Sequence, residues 1–149
     1  MSAPHLVWFR NDLRLADHAA LAGATRAGPV VCLFVLDDVT PGHWKMGAAQ
    51  RWWLHHSLAS LGRSLAERGG RLVLRRGDAG VVVPEVAAAV GAAAVHTLTH
   101  YESWAKAQDA AVAKAVTLKR YHGALLAPPA SVLAGSGGRY RIFTPWWRK

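Results

Sequence analysis

Residues 30–36 read Val-Val-Cys-Leu-Phe-Val-Leu, an unbroken apolar run that stops at Asp37-Asp38. It is too short for a buried helix and does not alternate with polar residues. It therefore reads as a strand covered on both faces, the position a strand takes inside a parallel sheet. Runs of the same kind recur on either side of it: His5–Phe9 (HLVWF), a third led by Arg71–Leu74, and Ala93–Leu98. Thr117–His122 is a fifth, weaker candidate.

Helical segments separate these runs. Asp17–Ala27 is short and alanine-rich, with Asp17 placed to cap its first turn. Ala48–Arg68 carries Trp53, Leu54, Leu58, Leu61 and Leu65 at helical spacing and meets a stop at Gly69-Gly70. The adjacent pair Trp52-Trp53 cannot face the core together, so one is expected against the sheet and the other outward. Val83–Val90 has Pro84 near its start, where proline is tolerated. Ser103–Val116 opens on a serine cap. Ala124–Gly138, rich in Pro and Gly, reads as irregular.

Five strands thus alternate with four helices. This predicts an α/β fold: one domain, with a Rossmann-like doubly wound five-stranded parallel sheet and helices on both faces. Ligands of such sheets lie beyond the carboxyl ends of the strands, where the strand order reverses. That rule selects three loops, Arg10–Leu15, Asp37–Met46 and Thr99–Trp104.

Composition narrows the field. A chain of 149 residues, 52% apolar and 18% charged, can bury a core. The single cysteine excludes an internal disulfide framework and a multi-cysteine zinc site; Cys32 is expected in the core, in keeping with a cytoplasmic setting. No apolar run reaches the ~20 residues that span a bilayer, so no membrane association is expected. The net charge is +9, and Lys114, Lys119, Arg120, Arg139, Arg141, Arg148 and Lys149 follow the last acidic residue, Asp109, unopposed. This suits either contact with phosphate or a solvated basic face. Both common phosphate cradles, G-x-G-x-x-G after a strand and G-x-x-x-x-G-K-[ST], are missing, as is a G-x-S-x-G nucleophile elbow. The eight histidines do not cluster as metal ligands.

Four segments, in order along the whole chain, resemble the amino-terminal domain of the DNA photolyase/cryptochrome family. LVWFRNDLRLADHAAL (6–21) is similar to the family's W-F-R-x-D-L-R-L-x-D-N-x-A-L. GAAQRWWLHHSLASLGRSLAERGGRLVLRRGD (47–78) resembles its long helix, following strand and G-D turn. HYESWAKAQDAAV (100–112) resembles Y-E-P-x-x-x-x-R-D, and YRIFTPWWRK (140–149) resembles the start of its interdomain linker. His18 replaces the usual Asn, and Gln108 the usual Arg of the R-D pair.

The resemblance implies a domain over residues 1–138, with 139–149 beginning a linker to a helical FAD-binding domain. It further implies an antenna chromophore (methenyltetrahydrofolate, deazaflavin or flavin) held by Asn11, Asp12, Leu36, Asp37, Met46, Arg51, Tyr101 and Glu102. FAD, DNA contact and repair of pyrimidine dimers with blue light would then belong to the complete protein. The helical FAD-binding domain is the expected partner, in the same longer chain or as a separate one. This chain by itself is expected to be catalytically inactive, without catalytic or metal-ligating residues. Two other expectations stand beside this one: a free-standing nucleotide-binding module of the universal-stress-protein or electron-transfer-flavoprotein kind, and a remnant with an orphaned aromatic end.

Overall fold

A computed structural model describes residues 2–128 and 131–148. Met1, Pro129, Ala130 and Lys149, which fall within the expected domain and linker ranges, lie outside the described residues. Five strands form one parallel sheet: β1 (His5–Phe9), β2 (Val30–Leu36), β3 (Leu72–Arg76), β4 (Ala94–Leu98) and β5 (Leu118–Tyr121). Their spatial order is β3-β2-β1-β4-β5, so the chain reverses its direction of winding between β1 and β4. The expected fold class is the one observed.

The helices divide between the faces. α1 (Ala19–Ala27) and α2 (Ala48–Ala66) cover one, burying Val7, Phe9 and Cys32 of the sheet beneath Ala24, Leu61 and Leu65. α3 (Ala79–Ala89) and α4 (Ser103–Ala113) cover the other, where Leu6, Trp8, Leu33 and Val35 meet Val83, Val86 and Val112. Every residue of β1 is buried, as a central strand covered on both faces requires. α3 and α4 approach closely where Gly80 faces Ala111: a Cβ on Gly80 would lie 2.8 Å from that of Ala111.

Several local expectations need correction. α1 is capped by His18, whose Nδ1 accepts the Leu21 N–H, and not by Asp17. Asp17 instead takes a left-handed turn (φ 49°), which a short polar side chain tolerates. α3 starts at Ala79, under an Asp78 cap, so Pro84 lies in its second turn rather than at its start. The cap and the apolar inner face outweigh the amide hydrogen bond the proline removes. Trp52 and Trp53 are both exposed, 63% and 69%. The inward face of α2 is carried by Leu61 and Leu65, nearer its carboxyl end, and neither tryptophan belongs to a core cluster. A short helix not foreseen from sequence, α5 (Phe143–Trp147), follows the irregular stretch, with Phe143 stacked on Trp147, Trp146 tilted against both, and Ile142, Phe143 and Trp147 exposed.

Candidate functional site

A cleft opens at the carboxyl ends of β1 and β2, between α4 and the start of α2. Its inner lobe, about 180 Å³, is walled by Trp8 and Arg10 from β1 and its loop, Phe34–Asp37 at the end of β2, Pro41 and Trp44 from the next loop, and Trp104 and Gln108 from α4. Its outer lobe, about 650 Å³, lies between the Asn11–Arg14 loop and the start of α2, where Trp53, Leu54 and Ser57 form the far wall. Arg10, Asn11, Met46 and Gln50 belong to both lobes, so the two adjoin.

The floor is an ionic network that the sequence places at the end of a buried strand. Arg10 donates to Asp109 at 2.9 Å and to the Leu98 carbonyl, and its guanidinium lies 4.5 Å from the Trp8 ring centre. Both partners of the pair are buried. Burial lowers the Arg10 pKa from its ordinary value, and the neighbouring Asp109 and Asp12 oppose that effect. Asp12 accepts from the Arg10 backbone N–H at 2.7 Å and from His18 Nε2 at 2.8 Å. Since His18 Nδ1 already accepts from Leu21, its Nε2 must carry the proton it gives to Asp12. Burial raises the Asp12 pKa, but these hydrogen bonds outweigh it and hold the carboxyl below its usual range.

Asp37 ties three elements together. It accepts from the backbone N–H groups of Val39, Thr40 and Ala79, from the Thr40 hydroxyl and from Gln108 Nε2. Burial raises its pKa; the hydrogen bonds from Thr40, Ala79 and Val39 outweigh that and keep it low. A carboxylate has about four acceptor sites, so Asp37 is saturated within the protein. Arg51 pairs with Asp38 and donates to the Met46 carbonyl at 3.1 Å, fixing the approach to α2.

Of the eight residues singled out from sequence, Asn11, Leu36, Asp37 and Met46 line the inner lobe, and Asp12 the outer. Arg51, Tyr101 and Glu102 line neither. Tyr101 reaches His122 at 3.3 Å, and Glu102 is the N-cap residue of α4. Sequence reasoning missed Trp8, Phe34 and Gln108; Arg10, Trp44 and Trp104 lie within the three selected loops but were not singled out as site residues. Trp104 and Gln108 were within reach: they are four apart on a helix that starts in a selected loop, so they share its face. Among the described residues, no cluster suited to a metal ion occurs and no helix is long and apolar enough to cross a membrane.

The fold is a doubly wound α/β domain with an aromatic-lined cleft at the carboxyl ends of its strands and without a glycine-rich loop. The sequence profile of the DNA photolyase family matches residues 5–149, and the chain belongs to that family. It is 40% identical to the deoxyribodipyrimidine photo-lyase of Agrobacterium fabrum, over 99% of this chain and 31% of that one. The crystal structure of a bacterial class III photolyase from Agrobacterium tumefaciens superposes with a TM-score of 0.87 at 39% identity, again over 99% of this chain and 31% of the other. An archaeal photolyase from Sulfolobus tokodaii, with two FAD molecules and an implied novel light-harvesting cofactor, gives a TM-score of 0.75 at 26% identity, over 86% and 31%. The chain spans about a third of the length of these relatives.

Proposed function

We propose that this domain holds a planar light-harvesting chromophore in its cleft and passes excitation to a flavin carried by a helical domain. The observation that carries the proposal is the aromatic lining of the inner lobe by Trp8, Phe34, Trp44 and Trp104, beside the buried Arg10–Asp109 pair. Asn11, Leu36 and Met46 would touch the ring. Asp12, Asp37 and Arg51 would brace the loops that carry those contacts, and Tyr101 and Glu102 would position the start of α4. The archaeal relative with an implied light-harvesting cofactor supports an antenna in this domain, which would be methenyltetrahydrofolate, a deazaflavin or a flavin.

The greater length of the relatives supports a helical FAD-binding partner, with Tyr140–Trp147 as the start of the connection and its exposed aromatics as the docking end. Splitting of pyrimidine dimers in DNA would be the work of the two together. The test is titration of the purified chain with methenyltetrahydrofolate, riboflavin and deazaflavin, followed by ring fluorescence. At least one should bind with a Kd in the range of roughly 1–100 μM, the span from ordinary to modest small-ligand affinity. Trp104→Ala should weaken it by about 10-fold or more. Absence of binding by all three would refute the proposal.

A further inference from the structure

We propose that the open edge of β3 takes up an extended acidic segment of a partner protein as an added strand, apolar on one face and rich in Asp and Glu on the other.

β3 ends the sheet and pairs with β2 alone among the described residues. The Gly77 N–H donates to the Leu36 carbonyl at 3.1 Å. Alternation along the strand then turns the N–H and C=O groups of Leu72, Leu74 and Arg76 away from β2, to the open side. The Leu74 carbonyl accepts from the guanidinium of its own neighbour Arg75 at 3.0 Å. An exposed side chain thus stands where a further strand would donate. A row of backbone groups left in this way is a template for another chain.

The side chains along the edge decide which strand fits. Successive residues face opposite sides of the sheet. Leu72 packs with the core beneath α1 and α2, and Val73 with the core beneath α3 and α4. Leu74 therefore faces the α2 side with Leu72, while Arg71 and Arg75 start from the α3 side with Val73. On the α2 side Leu74 is 53% exposed, and it shares with Leu58 of α2 two adjoining hollows, which Leu72 and Leu54 extend. Arg71 and Arg75 are exposed, and neither forms an ion pair among the described residues. Arg76 pairs with Asp38 and still leaves 75% of its side chain exposed.

Charge selects the occupant. A second copy of β3 would set arginine against arginine, which is destabilising, on a chain of net charge +9. An acidic strand does the reverse. Its N–H replaces Arg75 at the Leu74 carbonyl, and its carboxylates pair with Arg71 and the released Arg75. Those two arginines lie four residues apart, about 13 Å along a strand, which sets the spacing of the carboxylates. The alternate, apolar side chains of the same strand cover Leu72 and Leu74. A nucleic acid would meet the arginines and leave the leucines bare.

The test titrates the full chain, by fluorescence anisotropy, with the labelled peptide Glu-Val-Glu-Val-Glu-Val-Glu. That peptide should bind about 10-fold or more tightly than Glu-Glu-Glu-Glu-Val-Val-Val, which has the same composition in blocks, and than the alternating Lys-Val peptide. Only every second N–H of an added strand meets β3. N-methylation of all the valines or of all the glutamates should therefore cost about 10-fold or more in one of the two peptides and about 3-fold or less in the other. Arg71→Glu/Arg75→Glu changes exposed side chains, so it should melt within a few degrees of the parent. It should lose about 10-fold or more in affinity for the acidic peptide and take up the Lys-Val peptide instead. Arg75→Ala serves if the double variant does not fold. Equal binding of the alternating and blocked peptides, equal effects of the two methylations, or unchanged affinity in a folded arginine variant overturns the proposal, as does failure of the acidic peptide to bind. Tighter binding of a single-stranded oligodeoxynucleotide, lost in the same variant, also overturns it and makes the edge a nucleic-acid site.

Discussion

Replacing Asp109 with asparagine tests whether the cleft floor is held by charge. Asp109 is almost fully buried and lies 2.9 Å from the Arg10 guanidinium, itself buried against Trp8 and the Leu98 carbonyl. Asparagine keeps the shape but removes the charge. Arginine does not deprotonate in proteins, so Arg10 stays a cation with no close buried counter-ion except Asp12, whose oxygens already serve His18 and the Arg10 backbone. Removing one partner of a buried pair costs about 3–5 kcal/mol. An unfolding entropy of roughly 2.1 cal/mol/K per residue over 149 residues comes to about 0.3 kcal/mol/K. The expected fall in Tm is therefore about 10–16 °C, and the free-energy loss behind it is a large share of the roughly 5–15 kcal/mol typical of a domain. The double variant Arg10→Met/Asp109→Leu removes both charges and should recover most of the loss. Urea unfolding and thermal melts at neutral pH measure both. A loss under about 1 kcal/mol for Asp109→Asn, or a double variant no more stable than the single one, would refute the electrostatic account.

Other consequences concern the two faces of the sheet. His96 is fully buried, bonded through Nε2 to His5 and through Nδ1 to the Tyr121 hydroxyl; burial, with His5 and Lys119 nearby, pushes its pKa down to about 4. The folded state thus favours neutral His96: its stabilisation is complete above the unfolded pKa of about 6.5 and is lost as pH falls from there toward 4. Melting curves should show Tm falling across that window, less steeply in His96→Phe. Gly23 lies under Tyr121, where a Cβ would sit 2.4 Å from the hydroxyl. Gly23→Ala should displace the ring from His96 and cost about 1–3 kcal/mol in urea unfolding, the usual range for overpacking. Burial raises the Cys32 thiol to about 11, so a thiol reagent at pH 8 should label it only after denaturant is added; rapid labelling of the native chain would contradict its place in the core.

Much of the fold was legible because buried parallel strands have a plain signature. Residues 30–36 and 5–9 are apolar without alternation, and helical spacing separates them, so covering helices on both faces follow from the pattern alone. The three loops at the strand ends followed from the same reasoning, and Asn11, Leu36, Asp37 and Met46 line one cleft as a result.

Local boundaries and partners were less legible, since they depend on contacts distant in sequence. His18 caps α1 because Asp12 orients its ring, and Asp17 yields that role by turning left-handed. Both Trp52 and Trp53 are exposed because the buried face of α2 is confined to Leu61 and Leu65 near its carboxyl end, which its own periodicity does not record.

From sequence alone come the α/β class, the double winding and the end of the sheet at which the cleft opens, because each depends on local periodicity and on the handedness of the chain. Only the tertiary structure decided that Arg10 meets Asp109 across 99 residues and that Asp37 fills its acceptor sites inside the protein. It also brought Trp8, Arg10 and Gln108 to one lobe of the cleft. Hydrogen-bond accounting in a buried space depends on which side chains the folded sheet brings within about 3 Å of each other, and the order of residues along the chain does not contain that distance.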